Sequence, residues 1–330
     1  MTIRRLLIIL VALAFPGASA ATALAGPEIV PVHLHADAAC DVAAWSYTAC
    51  GHITNDALRV TGPGTVGPAN LAYVASTGND ADLFDITQTI FGGQTLGMQA
   101  GHAFGNSSVG GSFFWELEDG GFTPVALAGI HIGVDFPNSE RRTLNACIPQ
   151  RWVWCERTAE YDSGRDTQAD FRVSTRPLLI QIVNNTPNPI QRDPYGIATS
   201  GFLQQYAGLE IYRPIAPGGS AWMGGLRRRG DASCPNDPAT GKAEAECVRT
   251  KLGHTSVGAY FRIQPQEGAT PDYAGGELSF SVKARTDGAH TSRCTPMYRP
   301  TLPPLTCTVE FGGSNDGVLT AVVTLKAAGA

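Results

Sequence analysis

Apolar and polar residues alternate one for one along several stretches of the chain. Val257, Ala259, Phe261 and Ile263 fall on one side of such a stretch, and Gly258, Tyr260, Arg262 and Gln264 on the other. Leu278, Phe280 and Val282 alternate in the same way with Ser279, Ser281 and Lys283. Nearer the N-terminus, Val109, Phe113, Trp115 and Leu117 oppose Ser112 and Glu116. A period of two places successive side chains on opposite faces of a strand, so each stretch has one buried and one solvated face. No window of comparable length carries a capped 3.6-residue period. The pattern predicts an all-β protein.

The strands also recur. Gly-Asn-Ser-Ser-Val-Gly-Gly-Ser-Phe at 105–113 matches Gly-His-Thr-Ser-Val-Gly-Ala-Tyr-Phe at 253–261, an offset of 148 residues. The same offset carries Ile130, Ile132 and Val134 onto Leu278, Phe280 and Val282. Upstream, Phe91-Gly-Gly-Gln-Thr-Leu-Gly-Met98 parallels Pro217-Gly-Gly-Ser-Ala-Trp-Met223, and Leu71-Ala-Tyr-Val74 parallels Leu179-Ile-Gln-Ile182. The expectation is two tandem copies of one fold, at 67–175 and 176–330, preceded by a cysteine-bearing segment at 26–66. Strands with one apolar face bury it between paired sheets, so each copy is expected to be a β-sandwich. Gly93 and Val109 are 16 residues apart, whereas Gly219 and Val257 are 38 apart. The second copy therefore carries a loop insertion at about 226–250.

The chain begins with Arg4 and Arg5, an apolar run from Leu6 to Phe15, and the small-x-small sites Ala18-Ser-Ala20 and Ala23-Leu-Ala25. Residues 1–25 read as a secretory signal peptide, too short in its apolar run to span a bilayer. The expected location is secreted or periplasmic, with no integral membrane segment in the mature chain. Hydrophobic residues make up 43% of the 330 and charged residues 16%, which excludes a disordered chain. Loss of Arg4 and Arg5 takes the net charge from −5 to about −7, a poor balance for nucleic-acid partners.

An even number of cysteines in an exported chain reads as disulfides. There are eight, Cys40, Cys50, Cys147, Cys155, Cys234, Cys247, Cys294 and Cys307. Cys147 and Cys155 follow the Ile130–Val134 strand as Cys294 and Cys307 follow its counterpart. Local pairs are expected: Cys40–Cys50, Cys147–Cys155, Cys234–Cys247 and Cys294–Cys307. No cysteine stands at zinc-ligand spacing to another cysteine or to a histidine.

The chain contains no GxSxG, HExxH, P-loop or helix-opening GxGxxG, and paired cysteines leave no thiol nucleophile. His33 and His35 alternate on one strand face, Asp80, Asp82 and Asp85 share a turn, and Glu116 and Asp119 lie at a strand end. None has the spacing of a known catalytic or metal motif, so no catalytic residue, metal or cofactor is expected. Binding is better represented. Trp152 and Trp154 share a strand face beside Cys155, where core packing is the expectation. Tyr206, Tyr212 and Trp222 surround Pro214–Gly219, and Arg227, Arg228 and Arg229 follow. Aromatic rings beside arginines suit a glycan, a lipid head group or a protein surface.

Ile182-Val-Asn-Asn-Thr186, Pro217-Gly-Gly-Ser220, Val257-Gly-Ala-Tyr260 and Leu278-Ser-Phe-Ser-Val282 occur in an order that resembles the actinoporin-type membrane-lytic proteins over about 110 residues. That resemblance implies a sandwich fold and membrane disruption. The chain departs from those toxins in its cysteines and in having no recognisable amphipathic N-terminal helix. The expected function is a secreted, non-enzymatic binding or surface-interaction protein. The alternatives are an extracellular hydrolase acting on a polysaccharide, with acids that converge only in three dimensions, and a membrane-disrupting sandwich protein.

Overall fold

A computed structural model describes residues 47–79, 89–102, 108–118, 124–135, 142–143, 145–148, 151–162, 166–206, 213–229, 254–263, 277–285, 290–297, 305–314 and 317–327. The chain divides into two compact units, Met1–Ala39 and Cys40–Ala330, and all described residues belong to the second.

Every element among them is a strand. The first half holds β1 (Tyr47–Asp56), β2 (Leu58–Gly62), β3 (Thr65–Pro68), β4 (Leu71–Asn79), β5 (Thr95–His102), β6 (Ser108–Glu118) and β7 (Pro124–Asp135). It ends with β8 (Arg142–Thr143), β9 (Ala146–Ile148), β10 (Trp154–Asp162) and β11 (Asp166–Ser174). The second half opens with β12 (Pro177–Asn185), β13 (Ile190–Ser200), β14 (Phe202–Tyr206) and β15 (Ser220–Arg227). It continues with β16 (His254–Ile263), β17 (Glu277–Arg285), β18 (His290–Met297), β19 (Leu305–Gly313) and β20 (Leu319–Ala327).

Sheet I runs β10-β11-β1-β5, and sheet II runs β4-β6-β7-β8 with β9 also on β7. In the second half, sheet III runs β14-β15-β12-β20-β19 and sheet IV runs β13-β16-β17-β18. The pairing order recurs. β1 lies parallel to β11 and antiparallel to β5, as β12 lies parallel to β20 and antiparallel to β15. Val109 faces Val134 and Phe113 faces Ile130 across β6–β7; Val257 faces Val282 and Phe261 faces Leu278 across β16–β17.

The alternating faces explain where the cores form. Ile53 and Phe171 from sheet I meet Phe113, Trp115 and Ile130 from sheet II. Ile180 and Val323 from sheet III meet Phe261, Phe280 and Val282 from sheet IV. Full burial of one such side chain contributes about 1.5–3 kcal/mol. Two disulfides join the edges of opposing sheets: Cys147–Cys155 links β9 to β10, and Cys294–Cys307 links β18 to β19, each with Cα atoms 5.7 Å apart. Cys50 is also bridged. Its partner lies outside the described residues, as do Cys40, Cys234 and Cys247 and the part of the expected loop insertion beyond Arg229.

A buried asparagine organises the same corner of each half. Asn55 Nδ2 donates to the carbonyls of Ala69 and Ile90, both at 2.8 Å, and its Oδ1 accepts from Ala57 N at 3.0 Å. Asn184 Nδ2 donates to Asn188 O at 2.9 Å and Ile215 O at 2.8 Å, and its Oδ1 accepts from Thr186 N at 2.9 Å. The backbone follows suit: Gly93 N donates to Asn55 O and Gly218 N to Asn184 O, each at 2.7 Å. Both glycines sit at positive φ, 81° and 72°, where a Cβ costs energy.

Two sequence expectations differ from this arrangement. Residues 47–56, read as part of a segment before the first copy, form the centre of sheet I between β11 and β5. Leu71–Val74 lies on β4, whose counterpart by pairing is β13, whereas Leu179–Ile182 lies on β12, the counterpart of β1. Likewise Gly93 corresponds to Gly218, not Gly219. Short apolar runs look alike in sequence, and strand pairing separates them.

The β2–β3 hairpin has no counterpart in the second half, where four residues connect β12 to β13. It packs on the outer face of sheet III. Val60 and Leu179 both lie against Gly224, a Cβ on Gly64 would stand 2.9 Å from the Trp222 indole, and Val60 N donates to Gln205 Oε1 at 3.0 Å.

Candidate functional site

Only Thr175 and Arg176 separate β11 from β12, so the two halves meet closely. Thr175 Oγ1 accepts from Leu58 N at 2.8 Å, and Leu226 from β15 is wholly buried in the first-half core. Arg227 is 4% exposed. Its backbone N donates to Arg176 O at 2.9 Å and its Nη2 to Gly317 O at 2.8 Å. Burying a guanidinium is tolerable only where its donors find acceptors, and here they are backbone carbonyls of neighbouring segments. Arg227 is thus a structural bolt at the junction.

The next two residues emerge beside the end of the first half. Arg228 N donates to Thr255 Oγ1 at 2.8 Å, and Arg229 N donates to Arg151 O at 2.7 Å. The second contact draws Arg228 and Arg229 to the Arg151–Trp154 segment. The Arg151 guanidinium lies 5.6 Å over the Trp152 ring, and that of Arg176 lies 4.6 Å over the Trp154 ring. Val153, between the two indoles, points into the core at 1% exposure. Trp152 also packs partly against the core, as its sequence position implied. Cation–π contacts of this kind contribute about 0.5–2 kcal/mol each and hold guanidinium planes in fixed orientations.

Of the residues singled out in sequence, Arg227, Arg228 and Arg229 are therefore at the junction, with Arg227 buried. Trp222 faces the β2–β3 hairpin. Arg228 lies six positions further along the extended chain, about 20 Å away, so the two do not form one pocket. Tyr206 ends β14, and its side chain, like all of Tyr212, lies outside the described residues. Arg151 and Arg176 escaped sequence reasoning because two backbone bonds between segments far apart in the chain, from Arg229 N to Arg151 O and from Arg227 N to Arg176 O, bring them to the site.

Two histidine pairs add polar chemistry elsewhere. His52 and Asp170 are cross-strand neighbours on the outer face of sheet I. His52 N and Nδ1 both contact Asp170 Oδ1, at 3.1 and 3.0 Å. The hydrogen bond to Asp170 raises the His52 pKa above its usual 6.5, overcoming the opposing effect of burial. On sheet II, Ser112 Oγ lies 2.8 Å from His131 Nδ1, and burial lowers the His131 pKa. No carboxylate orients that imidazole among the described residues. There is also no described group of three histidine, cysteine or acidic residues placed to hold a metal. Glu116 sits on β6, while His33, His35, Asp80, Asp82, Asp85 and Asp119 lie outside the described residues. No protein-family model, characterised protein or solved structure matches the chain.

Proposed function

We propose that this is a secreted, non-enzymatic binding protein that engages an anionic extracellular ligand at the junction of its two halves. The observation that supports it best is the backbone bond from Arg229 to Arg151, which brings the Arg228–Arg229 segment beside a segment where Arg151 lies over Trp152 and Arg176 over Trp154. Guanidinium groups present paired donors that match carboxylate, sulfate or phosphate oxygens, and indoles supply area for a ligand's apolar face. The whole chain is acidic, at −5, so this cluster is a local feature and not part of a generally basic surface. We read the recurring pairing, asparagine bonds and disulfides as a duplication of one disulfide-stapled β-sandwich, with copies at 47–174 and 176–327, after a leader at 1–25. In that reading the strands serve the fold in both copies, and the junction arises only from joining them.

An array of sulfated, phosphorylated and carboxylated glycans, together with anionic vesicles, tests the reading on the mature protein. Saturable binding that weakens with salt is expected on at least one anionic class. An array without such binding overturns it. The Ser112–His131 contact favours an extracellular hydrolase as the second reading, because a serine hydrogen-bonded to a neutral imidazole is the start of a nucleophile–base pair. Labelling of Ser112 by a fluorophosphonate would support that reading. Dye release from the vesicles would instead support membrane disruption.

A further inference from the structure

The arginine run reaches a second sheet face. Arg228 N donates to Thr255 Oγ1, and Thr255 is the second residue of β16. Thr255 is buried at 1% exposure, as are Val257 and Ala259 further along. Its neighbour Ser256 therefore turns to the outer face of sheet IV, where it stands opposite Lys283 on β17. Backbone dimensions put the Cα atoms of Arg228 and Lys283 within about 12 Å of each other. From Lys283 the face runs away from the junction. Ser281 stands between Gly258 and Arg293 in the next row, and Tyr260 is on β16 in the row after. Tyr260 is 39% exposed, and Arg262, Lys283, Thr291 and Arg293 are exposed as well. Exposed side chains on β16, β17 and β18 leave this face open to solvent.

Its charge is not balanced from within. Lys283 and Arg293 are diagonal neighbours across β17 and β18, with Cα atoms about 7–8 Å apart. Neither joins an ion pair among the described residues. Like charges on adjacent strands repel, so a counter-charge from outside the chain is favoured here. Among the described residues that strand pairing places on this face, the one acid is Glu277, opposite Arg262 at the end away from the junction. The first half has different chemistry at this place. At the 148-residue offset that takes Val109 to Val257, Ser112, Phe114 and Asp135 stand where Tyr260, Arg262 and Lys283 stand in the second half. The basic face thus lies on the half that carries Arg228 and Arg229. Between its cations and Tyr260 the floor is Gly258 and Ser281, small enough to admit a flat ring. A phenol ring beside such a floor suits the C–H face of a sugar, and the cations suit its carboxylate or sulfate groups. A lipid surface would need apolar groups to insert, and the exposed residues here other than Tyr260 are charged or carry a hydroxyl.

We propose that the junction site continues along the outer face of sheet IV and that its ligand is a linear anionic polysaccharide, bound by Arg228 and Arg229 at one end and by Lys283, Arg293 and Tyr260 further along. This rests on the junction reading and names the ligand class. The probes are size-fractionated oligomers of heparin and of polygalacturonate, from two to ten sugars, titrated against the full mature chain. Affinity for at least one series should rise tenfold or more from dimer to decamer. Lys283→Ala/Arg293→Ala should weaken decamer binding tenfold or more and leave dimer binding unchanged, and Tyr260→Ala should weaken decamer binding severalfold. Lys326→Ala removes an exposed cation on sheet III and should change neither. Decamer affinity unchanged in Lys283→Ala/Arg293→Ala but lost in Arg151→Ala/Arg228→Ala/Arg229→Ala overturns the proposal and leaves the junction reading in place. Decamer binding that survives the triple arginine variant but not Lys283→Ala/Arg293→Ala overturns the junction reading and the continuous site with it. A loss in Lys326→Ala as large as in Lys283→Ala/Arg293→Ala would show attraction without a site and also overturns the proposal. So does failure of both series to bind, whether or not phosphatidylserine vesicles are bound.

Discussion

Asn55 and Asn184 are buried side chains whose removal has a magnitude that can be worked bond by bond. Asn55→Ala leaves Ala57 N and Ala69 O without their partners, while Ile90 O keeps its bond from Leu71 N. Asn184→Ala leaves Thr186 N without its partner. Asn188 O, however, keeps the bond from Thr186 Oγ1 at 2.7 Å, and Ile215 O keeps that from Ile190 N. An orphaned buried backbone group costs about 1–3 kcal/mol, and a lost second bond about 0.5–1. Asn55→Ala should therefore destabilise by about 4 kcal/mol and Asn184→Ala by about 3. The first half is the more sensitive because Ala57 stands where the second half has Thr186, so it has no hydroxyl to take over. Urea unfolding followed by tryptophan fluorescence checks this, with Trp115 wholly buried in the first core as a reporter. At a slope near 2 kcal/mol/M, the expected shift in midpoint is about 2 M for Asn55→Ala. A loss below about 1 kcal/mol at either site, or a larger loss at Asn184 than at Asn55, would refute the bond-by-bond reasoning.

Gly93→Ala and Gly218→Ala should each cost about 1–2 kcal/mol from backbone strain alone, since both have positive φ and open space around them; unequal effects in urea melts would break the equivalence of the two corners. Replacing both cysteines of Cys147–Cys155 or of Cys294–Cys307 by serine should cost about 2.5–3 kcal/mol on the chain-entropy account, read as a lowered denaturation midpoint. Because the folded-state pKa of His52 is raised, its contribution to stability is fully present below pH 6.5 and lost as pH rises through the folded value. The difference in stability between wild type and Asp170→Asn should shrink over that window, and a difference that grows with pH would contradict the assignment. Arg227→Ala should lower the melting temperature by several degrees, since it removes side-chain donors from two half-buried carbonyls and empties a buried site; a variant with unaltered melting would show that the bolt is dispensable.

Strand character was legible near Val109, Val257 and Leu278 because burial on one face imposes a period of two, and Val109 faces Val134 as Val257 faces Val282. The pairs Cys147–Cys155 and Cys294–Cys307 followed from their parallel positions after β7 and β17. The role of β1 was not legible. One of its two partners, β11, is parallel and more than a hundred residues away, and no local pattern encodes such a pairing. Nor does one gap-free offset align the halves: it is 129 residues at Asn55 and Asn184, 148 at Val109 and Val257, and 152 at Val173 and Leu325. Loops of unequal length change it between strands, so the asparagines escape a comparison made at a single offset. Arg228 and Arg229 were visible as a charge run, but burial of Arg227 and the approach of Arg151 depend on how β15 crosses into the first half.

The arginine junction is tested most directly by titrating the best anionic ligand from the array into wild type and into Arg151→Ala/Arg228→Ala/Arg229→Ala, by calorimetry at low and at physiological salt. Arg227 is left in place because it supports the fold. The account predicts that wild type binds saturably and more weakly as salt rises, and that the variant melts within a few degrees of wild type but binds at least tenfold more weakly. Equal affinity of the two proteins at both salt concentrations would contradict it.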